Sequence, residues 1–113
     1  MGSIADYATV QQWMRGLRDQ WGEEPDMARR YEVLQRFVEF AGADPDEMIA
    51  ACTREVEGGK RIRIKSRREY SEKIAAFQET VEGAPREQSR AANFVRSFFI
   101  HNGIFMQAGL GGG

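Results

Sequence analysis

Met27-Ala28-Arg29-Arg30-Tyr31-Glu32-Val33-Leu34-Gln35-Arg36-Phe37-Val38-Glu39-Phe40-Ala41-Gly42-Ala43-Asp44-Pro45-Asp46-Glu47-Met48-Ile49 is the stretch that decides the fold. Met27, Tyr31, Leu34, Phe37, Val38 and Ala41 recur three and four residues apart, which puts them on one face of a helix. Asp26, just before them, is a good N-cap, and Gly42 supplies the left-handed residue that closes a helix. A second helix opens two residues later. Asp44 caps it, Pro45 takes the first helical position, and Asp46 and Glu47 set carboxylates at the positive end of the dipole. Met48, Ile49 and Cys52 give this helix its buried side.

The same period extends in both directions. Upstream, Val10, Trp13, Met14 and Leu17 predict a helix over Thr9–Arg18, capped by Thr9 or Asp6 and ended before Gly22-Glu23-Glu24-Pro25. Downstream, Ser66-Arg67-Arg68-Glu69 has the capping-box pattern and starts a helix through Tyr70, Ile74, Phe77 and Val81 to Gly83. Pro85 opens a last helix through Ala91, Phe94, Val95, Phe98 and Phe99 to His101, ended by Asn102-Gly103. No stretch alternates convincingly over a strand's length. Ile62 and Ile64 alternate with basic residues, which reads as an extended connector freed by Gly58-Gly59. The expected fold is all-α, a bundle of four to five helices.

A chain of 113 residues supports one domain with a modest core. Its formal charge of −1 gives no global attraction to nucleic acid or anionic membranes, so any attraction must come from uneven distribution. There is no apolar run near about 18 residues and no secretory signal, so no membrane association is expected. Cys52 is the single cysteine; no intramolecular disulfide or cysteine-built zinc site can form, and a reducing, cytoplasmic setting is expected. Met1-Gly2-Ser3 reads as vector-derived or as a native start. Residues 107–113 read as a glycine-rich linker or a remnant of cloning, so a piece of a longer protein is expected.

Lys60-Arg61-Ile62-Arg63-Ile64-Lys65-Ser66-Arg67-Arg68 holds six of the sixteen basic residues in nine positions, without an acid. A solvated mobile loop and a phosphate-binding segment both have this composition. Arg29 and Arg30 stand in the first turns of the Met27–Ala41 helix, and Arg86 and Arg90 in those of the last helix, with Arg96 further along. Cations at helix N-termini oppose the macrodipole, so they are not there for helix stability. Surface pairing with Glu32 or Glu87 is the ordinary alternative. Together these groups set basic residues at the starts of three helices, which suits backbone amides and cations aimed at phosphates.

Catalytic chemistry finds little support. His101, the only histidine, lies beside a helix end where a cation is favoured. It and Cys52 are far apart in sequence, and Cys52 has the spacing of a small core residue. The carboxylates of Asp44, Asp46 and Glu47 are explained by helix initiation and lack calcium-loop spacing. No metal or cofactor is expected. Most aromatics fall on core spacing; Trp21, beyond the first helix and beside Gly22, is the least certain.

Two segments resemble a family. Tyr31, Leu34, Phe37, Phe40 and Gly42, followed by Asp44-Pro45-Asp46-Glu47, look like the signature of the N-terminal core-binding domain of tyrosine recombinases, the phage-type integrases. Ala92-Asn93-Phe94-Val95-Arg96-Ser97-Phe98-Phe99-Ile100-His101-Asn102-Gly103-Ile104 resembles that domain's last helix, which leads into a catalytic domain. The resemblance spans about residues 5–106 and rests on packing positions. Met27 and Ala28 stand where the family usually carries a Ser or Thr before the tyrosine, a departure that puts that one phosphate contact in question.

What the resemblance implies is a SAM-like, orthogonal helical DNA-binding domain over 4–106. It would clamp duplex DNA at a recombination site, with a catalytic domain that is absent here and with other protomers possible on the DNA. The parent would exchange DNA strands through a phosphotyrosine; Tyr7, Tyr31 and Tyr70 do not match that nucleophile, and His101 does not match the family's His-x-x-Arg pair. The expected DNA contacts are Arg29, Arg30, Lys60, Arg61, Arg63, Lys65, Arg67, Arg68, Arg86 and Arg90. Most would touch phosphates, with Arg67 and Arg68 the first choice for reading bases. A helical protein-interaction module with a basic loop for an acidic partner is the alternative.

Overall fold

The computed structural model describes residues 3–22 and 27–106. After a 3-10 turn at Ile4–Asp6 come α1 (Ala8–Trp21), α2 (Ala28–Ala41), α3 (Pro45–Ala51), β1 (Thr53–Val56), β2 (Gly59–Ile62), α4 (Ile64–Thr80) and α5 (Pro85–His101). The described residues thus form a mostly helical bundle of five α-helices.

α5 is the central helix, packed on α1, α2 and α4. Its Ala91, Ala92, Val95, Phe98 and Phe99 are buried, as helical spacing requires. Trp13 of α1 meets Phe98 edge-on at 5.7 Å between centroids, while its indole N–H donates to Ser97 Oγ at 3.0 Å. Phe37 of α2 meets Phe77 of α4 edge-on at 5.3 Å. Trp13, Phe37, Phe98 and Phe99 are fully buried, and truncating such a ring costs about 3–5 kcal/mol. Asn102, just past α5, donates to the carbonyls of Thr9 and Phe98 and ties the end of α5 to α1.

α3 begins as its sequence dictates. Asp44 Oδ1 accepts from the Glu47 amide, Glu47 Oε1 accepts from the Asp44 amide, and Pro45 follows the cap. Gly42 closes α2 at φ +76°. Met48 and Cys52 are fully buried, whereas Ile49 is only half-buried. The Asp26 cap, the Glu23–Pro25 break and the glycine tail lie outside the described residues.

Several expectations are corrected. The chain is not helical throughout: β1 and β2 form an antiparallel hairpin pairing Thr53 with Ile62, Arg54 with Arg61, Glu55 with Lys60 and Val56 with Gly59. Gly58 turns it at φ +92°, a conformation that a Cβ disfavours. What read as a connector is therefore a strand, and Arg63 N–H extends the ladder by donating to Cys52 O at 2.7 Å. That bond delivers the chain straight into α4, which starts at Ile64 rather than at Ser66. Ser66 lies inside the first turn, and no side chain caps the helix. α4 also stops at Thr80, before Gly83. α1 runs beyond Thr9–Arg18 at both ends, and neither Thr9 nor Asp6 caps it. Asp6 accepts from the Ser3 amide, and the Thr9 amide and hydroxyl both donate to Asp46 of α3.

Candidate nucleic-acid interface

The β-hairpin carries the densest charge. Directly paired residues share a face of a hairpin, as do residues two apart. Arg54, opposite Arg61, therefore joins Arg61 and Arg63 on one face, while Lys60 stands with Glu55 on the other. A shallow hollow of about 280 Å³ is lined by Arg54, Arg61, Ile62, Arg63 and Ile64. Arg63 Nε donates to Thr53 O at 3.4 Å, which holds that side chain along the hairpin. All of β2 is exposed, and Ile64 projects at 62 % exposure among these cations.

α4 continues the charge. Its first turn contains no acid and no capping side chain, so the free amides of Ile64, Lys65 and Ser66 and the positive dipole end are uncompensated. Lys65 and Arg68 are exposed. Arg67 is half-buried; it lies two turns before Ile74 and so shares the core-facing side. Arg67 and Arg68 thus point to different sides of α4, and only Arg68 has the exposure of a base reader. Among the described residues, none of Arg54, Lys60, Arg61, Arg63, Lys65, Arg67 or Arg68 forms an ion pair.

The other expected cations lie elsewhere. α4 and α5 run antiparallel: Tyr70 packs on Phe99 at one end, and Gln88 donates to Val81 O at the other. The hairpin therefore sits by the C-terminal end of α5, while Arg86 and Arg90 mark its start. Arg30 of α2 joins them in a groove of about 490 Å³ that Trp21 also lines. The guanidinium carbons of Arg30 and Arg90 lie 5.0 and 5.8 Å from the centre of the Phe94 ring. Arg29 is not part of this groove; it pairs with Glu32 on the surface of α2. The basic residues at three helix starts thus divide into two clusters.

Sequence reasoning missed Arg54 because its register partner is invisible without the hairpin. Arg96, which the sequence groups with the basic residues of the last helix, is buried at 7 % exposure with its guanidinium bonded to Asn93 Oδ1, and desolvation lowers its pKa. Trp21, at 62 % exposure, is the one aromatic whose placement the spacing left open.

Burial lowers the His101 pKa, and its ring packs against Gly16 of α1 in the last turn of α5. Cys52 is fully buried, and burial, with a smaller contribution from Glu69, raises its thiol pKa to about 11. Among the described residues, no group of three or more His, Cys, Asp or Glu side chains could hold a metal, and no helix is long and apolar enough to cross a membrane. Compared with protein-family models, curated proteins and solved structures, the chain finds no match.

Proposed function

We infer that this chain binds duplex DNA through the hairpin and the start of α4, as a core-binding domain of the tyrosine-recombinase type. The observation that carries the reading is the concentration of seven cations and two carboxylates between Arg54 and Arg68, with none of the seven in an ion pair. Of these, Arg54, Arg61 and Arg63 share one face of an exposed hairpin, and Lys65 and Arg68 are exposed on the uncapped start of α4 that follows it. Arg54, Arg61, Arg63 and Lys65 suit successive phosphate oxygens, and the free first-turn amides of α4 are further donors close by in the chain. Arg68 is the side chain best exposed to reach a base edge.

In this reading the bundle is a rigid support and does no bond chemistry. Strand cleavage and exchange belong to a catalytic domain of the same parent, acting in the cytoplasm. Binding by the isolated domain is weak, because half a clamp loses the effective concentration that the other half supplies.

Salt tests the inference. Anisotropy of a labelled 20-base-pair duplex should give micromolar or weaker affinity, with a plot of log K against log salt sloping at about −4 for four to five phosphate contacts. Affinity indifferent to salt overturns it, as does retention of an acidic peptide in place of the duplex.

A further inference from the structure

The groove at the start of α5 has a different chemistry from the hairpin. It is formed where the end of α1, the start of α2 and the first half of α5 converge. Trp21 presents an exposed indole at its edge. Arg30 and Arg90 hold their guanidinium groups against Phe94, while Arg86 stands free of that ring on the preceding turn. Gln20, Asn93 and Ser97 contribute amide and hydroxyl groups, and they also line an adjoining hollow of about 340 Å³ that reaches Arg96. No carboxylate is among the described lining residues.

A simple phosphate site needs cations and amides but no aromatic platform. An apolar peptide groove does not need three arginines. Cations beside an exposed indole, with amides that both donate and accept, suit a ligand that joins an anion to a flat heteroaromatic ring. Arginine planes and tryptophan are the surfaces on which unpaired bases stack. The volume falls within the range of small-ligand sites, about 300–1,000 Å³. A paired base cannot enter, because its faces are covered by its neighbours in the duplex.

We propose that this groove binds an unpaired nucleotide of single-stranded DNA: the base stacks on Trp21, Arg86 and Arg90 hold the phosphate, and Gln20 and Asn93 face the base edge. The proposal does not depend on duplex binding at the hairpin, since the two clusters lie at opposite ends of α5.

The test titrates the whole chain with an eight-nucleotide oligothymidylate, an abasic oligomer of equal length and thymidine monophosphate. Trp13 is fully buried, so quenching of tryptophan emission reports on Trp21. Oligothymidylate should quench and should bind at least tenfold more tightly than the abasic oligomer. By anisotropy of labelled oligothymidylate, Trp21→Ala should cost about tenfold, the size of one base stack, Trp21→Phe much less, and Arg86→Ala with Arg90→Ala at least tenfold. Arg36→Ala with Lys73→Ala, which removes two charges outside both clusters, should change single-strand affinity by less than threefold. Quenching by the monophosphate alone, at comparable affinity, supports the same groove and assigns it to free nucleotides. Equal binding of the abasic oligomer, or an unchanged affinity in Trp21→Ala, overturns the proposal, because the groove is then a patch of charge. So does preference for polyglutamate over oligothymidylate.

Discussion

At the scale of single residues, close packing decides which groups are free to act. Gly16 lies inside α1, where alanine normally gains up to about 1 kcal/mol. A Cβ there would overlap the His101 ring, 2.9 Å from its Cγ. Overpacking of this kind costs about 1–3 kcal/mol, so Gly16→Ala should lower stability in urea unfolding. Adding His101→Ala should restore the stability and expose the helix-propensity gain; an additive decrease in the double variant would contradict the packing. His101 has a folded-state pKa below its unfolded value, so its contribution is present above about pH 6.5 and is lost as pH falls. Cys52 behaves oppositely. Its thiol keeps the proton to about pH 11 in the folded chain, against a reference value of 9.0. The unfolded chain ionises first, so stability should fall as pH rises from 9 to 11. Cys52→Ala should remove that part of the pH dependence, and the native thiol should react with a disulfide reagent only after denaturation.

At the scale of elements, the hairpin is the least self-sufficient part of the fold. Two strands alone are marginal in water. Both are anchored at their open end alone, where α3 runs into β1, β2 runs into α4 and Arg63 N–H donates to Cys52 O. Gly58 sets the turn at φ +92° with nothing within 4 Å of where a Cβ would stand. Gly58→Ala therefore introduces backbone strain without a clash, worth about 1 kcal/mol. Far-ultraviolet helix content and the thermal midpoint should hardly move, while duplex affinity should fall severalfold as Arg54 and Arg61 lose their register. An unchanged affinity would show that the charges act as a flexible chain and not as a shaped surface.

At the scale of the whole molecule, legibility followed the range of the interactions. α2, α3 and α5 could be read because spacing, Asp44-Pro45, Gly42 and Asn102-Gly103 are local signals, each fixed within a few residues. The hairpin was harder to read because its strands carry charge on both faces and bury almost nothing, so no apolar alternation marks them. The start of α4 was misread because Ser66 and Glu69 imitate a capping box, while strand pairing starts the helix two residues earlier. The Trp21 groove could not be read at all: Arg30 and Arg90 are far apart in sequence and meet only through Phe94.

The basic run itself was plain, but not its extent. Arg54 counts in sequence as a remote surface charge and in the fold as the partner of Arg61. The most direct measurement is therefore a charge-matched comparison that includes it. One variant carries Arg54→Ala, Arg61→Ala, Arg63→Ala and Lys65→Ala; the other carries Arg15→Ala, Arg18→Ala, Arg36→Ala and Lys73→Ala, so that both lose four charges. Duplex affinity is measured for each across a salt series. The hairpin variant should bind at least tenfold more weakly at low salt, with its slope flattened by about 0.9 for each phosphate it no longer neutralises. The second variant should stay within about threefold of the native chain. Equal weakening in the two variants would mean that net charge alone governs binding, and the hairpin would not be a DNA site.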